Sequence, residues 1–322
     1  MSSIHVGVVM DPIAEISPAK DSTLAMLLTA QKRGHELHYF EQIDLRLLNG
    51  KALGNERKLK VSDDQDCWFE LSPVTSINLA ELDVVLMRKD PPFDTEYIYT
   101  TYILEQAEES GVLIVNRPAS LRDINEKAFT SWFPHCCPDT LITRSIRELK
   151  TFLKDQAKIV VKPLDGMGGR SVFIVEKSEA NVNVIFETIT GDETRYTMAQ
   201  RYVPEIRDGD KRIILVNGDP ADFALARIPQ GDDSRGNLVM GAKAQTRELT
   251  DRDRWICQQV GPVLKEKGVL FAGLDVIGDY LTEINVTSPT GIRELQKLAG
   301  CDPAESLFDS IEKTLRERQA AA

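Results

Sequence analysis

The sequence predicts an α/β protein: a mainly parallel α/β unit at the N-terminal end, then smaller mixed units. Two observations carry this. Strand-like and helix-like runs alternate through the first 120 residues, as in a parallel sheet with crossover helices. Past residue 122 the runs become shorter and pair as hairpins. The length of 322 residues also exceeds what one compact core serves, so two or three domains are expected.

In order, "IHVGVVMD" reads as a strand, "DSTLAMLLTAQKRG" as a helix stopped by Gly34, and "HELHYF" as a strand. "NGKALGNERKLKV" suggests a polar hairpin. "LDVVLMRKD", "TEYIYTTYILEQAEESG" and "VLIVN" then read as strand, helix and strand. Ligands of open parallel sheets gather beyond the carboxyl ends of the strands. Those ends carry Asp11, then Arg88, Lys89 and Asp90, then Asn116 and Arg117. A helix over "LRDINEKAFTSWF" precedes a small α/β unit reaching "YTMAQRYV", and "KRIILVNGDPADFALARI" turns back on itself at "NGDP". The stretch 229–245 has Gly, Asp and few large apolar residues, so it reads as a long mobile loop. Thr250 and Asp253 form a capping-box pattern for the next helix, and "DPAESLFDSIEKTLRERQ" closes the chain as an amphipathic helix.

A net charge of −11 argues against general binding to nucleic acid or membrane surfaces. No apolar stretch approaches 18 residues, and the five cysteines lack metal-type spacing, so a cytoplasmic protein is expected. His5, His35, His38 and His135 lie far from the motifs below and show no metal-ligand spacing.

The stretch "GLDVIGDYLTEINVTSPT" reads as two strands joined by a turn. Glu283 and Asn285, two apart, share a strand face. With Asp275 they offer the hard oxygens that suit Mg²⁺, although a polar sheet face is the plainer alternative. A two-residue turn would put Asp275 opposite Thr282 and a three-residue loop, Gly278 to Tyr280, opposite Glu283, so the metal reading predicts an odd-length connection. In "IVVKPLDGMGGRSVFIV" an apolar strand delivers Lys162 to a loop of Asp165, Gly166, Met167, Gly168 and Gly169. Such a loop can cradle phosphate, yet it matches neither the P-loop nor the dinucleotide pattern. Lys127, Arg212, Arg227, Arg235 and Lys243 add cations at loops and strand ends. This inventory suits phosphoryl transfer.

The matches "VMDPI", "MRKDPPFDTEYIYTTYILE", "LRDINEKAF", "VKPLDGMGGRSVF", "DGDKRI", "ARIPQGDDSRGN" and "GLDVIGDYLTEINVTSPTGIRE" resemble the bacterial glutathione synthetases, members of the ATP-grasp ligases, over nearly the whole chain. The resemblance implies an N-terminal α/β domain (1–122), a small central lid (123–203) and a C-terminal catalytic domain (204–322). In this two-lobed α+β ATP-grasp arrangement, ATP would lie between the last two. It implies that Lys127, Lys162 and the Asp165–Gly169 loop grip phosphates, that Gln200, Arg201, Tyr202 and Val203 form the adenine hinge, and that Asp210 meets the ribose. Asp275, Glu283 and Asn285 would hold two Mg²⁺ ions, which Mn²⁺ could replace. Arg88, Asp90, Ser288, Pro289 and Thr290 would hold the peptide substrate, and Arg212, Arg227 and Arg235 would stabilise charge. Lys243 and Gly291 depart from the family pattern.

The implied reaction joins γ-glutamylcysteine and glycine through an acyl phosphate at the expense of ATP, in a homodimer or homotetramer. Two alternatives stand beside it: a ligase of the same fold for other amino acids, and an ATP-binding regulator without activity. The "MRKDPPFD" loop would distinguish the first, and the intact oxygen set speaks against the second.

Overall fold

The computed structural model describes residues 3–166, 170–229 and 243–321. Met167, Gly168, Gly169 and Arg235, and most of the 229–245 stretch, lie outside them. Among the described residues three sheets form.

The first sheet contains β1 (His5–Val9), β2 (Glu36–Phe40), β3 (Leu45–Leu48), β4 (Lys51–Val61), β5 (Phe69–Leu71), β6 (Thr75–Asn78), β7 (Val84–Met87) and β8 (Leu113–Val115). Its order is β3-β4-β2-β1-β7-β8, with β5 and β6 attached to β4. The strands β2-β1-β7-β8 run parallel, and β4 closes one side antiparallel. Parallel strands covered on both faces need apolar residues at consecutive positions. β7 supplies them: Val84 and Leu86 enter one core, Val85 and Met87 the other. Helix α1 (Ser22–Lys32) covers the first of these faces and α2 (Thr95–Glu109) the second. Asp21 caps α1 by accepting from Leu24 N at 2.6 Å, and Gly34 follows the helix at φ +84°.

The expected helix over 121–133 is instead two pieces, α3 (Pro118–Asp123) and a 3₁₀ turn (Ala128–Trp132). Asn125 breaks it, because its side chain accepts from the backbone N–H of Lys127 and Ala128.

The second sheet is β9 (Thr140–Thr143), β10 (Lys158–Pro163), β11 (Phe173–Glu176) and β12 (Thr197–Arg201), in the order β11-β10-β12-β9 and fully antiparallel. Helices α4 (Ile146–Gln156) and α5 (Val182–Thr190) pack on it around a small core of its own, including Leu149, Ile159 and Phe186.

The third sheet holds β13 (Asp210–Val216), β14 (Asp219–Pro220), β15 (Phe223–Ile228), β16 (Lys243–Glu248), β17 (Phe271–Ile277) and β18 (Tyr280–Asn285). Its main path is β16-β15-β13-β17-β18. Residues 243–245 therefore belong to an edge strand, not to the loop expected there. Helices α6 (Asp251–Glu266), α7 (Ile292–Ala299) and α8 (Pro303–Ala321) complete the fold. Ile213 and Leu215 join one core and Ile214 and Val216 the other, so the first and third sheets share both.

The turn Asn217–Gly218, with φ of 53° and 88°, abuts Gly261 of α6. A Cβ on Gly261 would stand 2.1 Å from the Gly218 carbonyl oxygen, which is backbone and does not swing away. Gly261→Ala is expected to cost about 1–3 kcal/mol in urea unfolding; an unchanged midpoint would show that α6 can slide.

Candidate functional site

Residues of the second and third sheets, most of them on interior strands, line a cavity of about 360 Å³. The hairpin β17–β18 forms one wall. Its connection is the two-residue turn Gly278–Asp279, since Ile277 pairs with Tyr280 and Val276 with Leu281. The expected odd-length connection is therefore wrong, yet Asp275 still pairs with Glu283. A β-bulge corrects the register: Thr282 is the extra residue on β18 and shifts the ladder by one. Its carbonyl, out of register, accepts from Lys162 Nζ at 3.3 Å.

Lys162 reaches this wall from β10. Its neighbour on the same strand face, Val160, lines the same cavity, and Lys162 Nζ lies 3.4 Å from Glu283 Oε1. Lys127 follows the break after α3. Its ammonium contacts the Glu126 carboxylate, donates to Gly166 O at 2.6 Å and stands 3.8 Å from Glu283. Arg212 on β13 grips Asp275 with two bonds, 2.8 and 2.7 Å. Arg227 on β15 bridges Asp210 at 2.5 Å and Asp275 at 3.0 Å.

Four cations thus face four acids, Glu126, Asp210, Asp275 and Glu283. Burial would raise Asp275, but the Arg212 and Arg227 guanidiniums outweigh it and hold the carboxyl well below the usual carboxylate range. Burial likewise opposes ionisation of Glu283, and Lys127 and Lys162 hold it low. Asp210 differs: burial, helped by the charges of Asp275 and Glu283, pushes it up to about 7 despite Arg227. Glu126 is raised by burial and by Glu283.

The Asp210 shift has a sign that can be tested in metal- and nucleotide-free protein. Its native pKa of about 7 lies above the ordinary 3.8, so its stabilising contribution is full below the lower value. That contribution is lost as pH rises through the higher value. Wild-type stability is therefore expected to fall relative to Asp210→Asn between about pH 4 and about pH 7. A difference between the two unfolding free energies that stays flat across this window would contradict the shift.

At the other end the cavity is apolar. Val160, Ile174, Tyr202, Val203 and Ile277 line a slot beside Gln200 and Arg201, where β12 leaves its sheet. Gln200 donates to Thr140 Oγ1 at 3.1 Å, Arg201 lies over the Tyr280 ring and Lys158 over the Tyr202 ring. Asp90, Ser288, Pro289 and Thr290 line the remaining side, with Ser288 Oγ bonded to Asp90.

Several expected positions fall elsewhere. Arg88 lies behind the wall: it is buried, donates to Pro289 O at 3.0 Å and Thr23 Oγ1 at 3.1 Å, and braces the turn from outside the cavity. Asp165 is exposed and does not line the cavity. Asn116 is buried, with its amide bonded to the backbone of Leu270, Phe271 and Val286; it joins two sheets and does not line this cavity. Arg117 hydrogen-bonds Gly268 O through its backbone. Of the four acids, Glu126 is the one not expected from the sequence. Its backbone carbonyl accepts from Ile284 N at 2.8 Å, which ties it to β18, and that pairing has no sequence signal.

The oxygen-rich set fits a divalent cation. Asp210 Oδ1 is buried without a hydrogen-bond partner among the described residues, an acceptor awaiting a donor or a cation. Asn285 donates its Nδ2 to Asp275 Oδ2 and Gly273 O, both at 3.3 Å, which leaves its own oxygen free of that contact. Arg227 Nε is a buried donor equally lacking an acceptor, as a phosphate oxygen would supply.

The chain is similar to known proteins over nearly its whole length. The family model for the prokaryotic glutathione synthetase N-terminal domain matches residues 4–122, and that for the prokaryotic glutathione synthetase ATP-grasp domain matches residues 126–300. Glutathione synthetase of Escherichia coli is 55% identical over 315 residues, which cover 98% of this chain and 100% of the relative. That of Coxiella burnetii is 54% identical over 310 residues, covering 96% and 97%. Among solved structures, D-cycloserine synthetase DcsG aligns with a TM-score of 0.68 at 12% identity, over 97% of this chain and 99% of that one. ATP-grasp ligase PsnB, solved with a minimal precursor, Mg and ADP, aligns with a TM-score of 0.63 at 15% identity, over 97% and 98%. At these identities the likeness is one of fold.

Proposed function

The chain belongs to the prokaryotic glutathione synthetase family, and from that premise we propose how its cavity carries out ATP-dependent ligation of glycine to γ-glutamylcysteine. One observation carries the reading: a single cavity has an apolar slot at one end and four cations interleaved with four acids at the other. A nucleotide has that polarity. The adenine enters the slot by Val160, Tyr202 and Val203, with Gln200 and Arg201 at its edge, and Asp210 meets the ribose. Lys127 and Lys162 exchange their carboxylate partners for phosphate oxygens, and Arg212 and Arg227 neutralise charge at the reacting groups.

Asp275, Glu283 and Asn285 are the residues that would hold Mg²⁺, or Mn²⁺ in its place. Bound there, two such ions would polarise phosphate oxygens and offset their charge. The dipeptide rests against Asp90 and the Ser288–Thr290 turn, which Arg88 braces. Its cysteinyl carboxylate attacks the γ-phosphorus and ADP leaves. Glycine's amine then displaces phosphate from the acyl carbon. An acyl phosphate hydrolyses unless water is excluded, so we assign residues 123–203 the part of a lid over 204–322, beside a substrate-side unit 1–122. The separate core of residues 141–199 supports independent movement of that part, whereas Ile124, Phe129, Phe133 and Cys136 pack in a core shared with the first and third sheets.

No described helix is long and apolar enough to cross a membrane; a cytoplasmic homodimer or homotetramer is the expected form. Exposed Ile43, Leu47 and Leu48 beside Tyr99 and Tyr102 support self-association.

The test is phosphate release from ATP and Mg²⁺ with each other substrate omitted in turn. Release that needs both, matched by an equal amount of glutathione, bears out the reading. Release with neither, or with a different amine or acid, would keep the nucleotide cavity and discard the substrates.

A further inference from the structure

We infer that His5, Glu36 and His38 form a second cation site, for a divalent transition metal of the Zn²⁺ class, on the first sheet and apart from the catalytic cavity. Parallel pairing sets His5 opposite Glu36, and Glu36 and His38 lie two apart on the same strand face. One ligand atom from each lies within 4.8 Å of the others. His5 Nδ1 is 3.0 Å from His38 Nε2 and 3.9 Å from Glu36 Oε2. Four-coordinate zinc with bonds near 2.1 Å keeps its ligand atoms about 3.4 Å apart, so the two separations straddle the required value.

The surroundings have the form that metal sites need. His38 Nδ1 is hydrogen-bonded to the Glu56 carboxylate, and both side chains are buried, at 6% and 7% exposure. That contact holds the proton on Nδ1 and aims the Nε2 lone pair at His5, as a carboxylate behind a ligating histidine does. The His5–His38 contact then contains one proton, which a cation would replace. Nearby charge is favourable: Glu36, Glu56 and Asp83, whose carboxylate accepts from His5 N, stand against Lys58 on Glu36. Three negative charges against one positive suit a divalent ion. The His5 and Glu36 side chains are 44% and 50% exposed, which leaves a way in and room for water as fourth ligand. Two imidazoles and a carboxylate favour zinc, copper or nickel over Mg²⁺. His5 opens β1, whereas the cavity lies beyond the strand's other end, past Asp11 and Asp90.

The test titrates the full chain with ZnCl₂ by calorimetry, in excess Mg²⁺ and without thiol substrates, and repeats it with Co²⁺ followed by visible absorption. One site is expected, with the strong absorption of four-coordinate Co²⁺. His5→Ala, at a half-exposed position, should weaken Zn²⁺ binding by at least about tenfold. Glu56→Gln should weaken it about 10- to 100-fold without touching the ion. His5→Ala should keep the ligase activity. Should His5→Ala be unstable, Glu36→Ala answers the same question. Zn²⁺ affinity unchanged in these ligand variants overturns the proposal, whether the ion then resides on exposed Cys67 or among the cavity carboxylates.

Discussion

Glu283→Gln is expected to remove ligase activity while leaving the fold intact. Glutamine preserves the shape of the side chain, and Lys127 keeps Glu126 and Gly166 O as partners. What disappears is the one carboxylate among the described residues that pairs with both lysines and, in the proposed reaction, faces a divalent cation. Loss of several kcal/mol of charge stabilisation corresponds to a fall of about 10³-fold in kcat/KM. Thermal unfolding should shift by only a few degrees, because Glu283 lies at the cavity wall and belongs to neither apolar core. Turnover within tenfold of wild type would remove Glu283 from the metal set. A collapse of Tm would show that its charge serves the fold instead.

The parallel half of the fold was legible because its strands are continuous apolar runs and its helices carry ordinary start and stop residues. Asp21, Thr250 and Gly34 each do what their types predict. Side-chain competition with the backbone was not legible. Asn125 looks like any polar residue inside a helical stretch, and only the structure shows it accepting the two N–H groups that end the helix. Edge strand β16 was missed for a related reason. "KAQTRE" is polar but for Ala244, and its exposed and half-buried residues protect an edge while giving little apolar signal. Helix α7 is short, and its start at Gly291, φ +122°, is fixed by Ser22 Oγ accepting from Gly291 N and Ile292 N across the molecule.

The candidate site was legible as residue types and illegible as geometry. Asp275, Glu283 and Asn285 were found from spacing on one hairpin, but the register that joins them comes from a bulge, not from the turn. Glu126 and the bracing role of Arg88 depend on contacts 158 and 201 positions along the chain, beyond any local pattern. The histidines show the same limit: 33 positions separate His5 from His38, and parallel pairing brings them to 3.0 Å.

Asp275→Ala should be the most destabilising change in the cavity. Asp275 is buried and receives both bonds from Arg212 together with a third from Arg227. Its removal strands the Arg212 guanidinium, 8% exposed on a strand interior, without a carboxylate. Arg227 retains Asp210, so the loss falls chiefly on one cation. Breaking a buried pair from one side costs about 3–5 kcal/mol, since an uncompensated charge stays in the interior. The pair itself need not contribute that much. Desolvation of two ions offsets most of their attraction, so the double variant Asp275→Leu with Arg212→Met should recover the greater part of the stability while remaining inactive. Urea unfolding of wild type, Asp275→Leu, Arg212→Met and the double variant closes the cycle. A double variant as unstable as the sum of its singles would mean that the two side chains act independently. Recovery of stability without activity would assign the buried pair to catalysis, retained in the fold at little net benefit to folding.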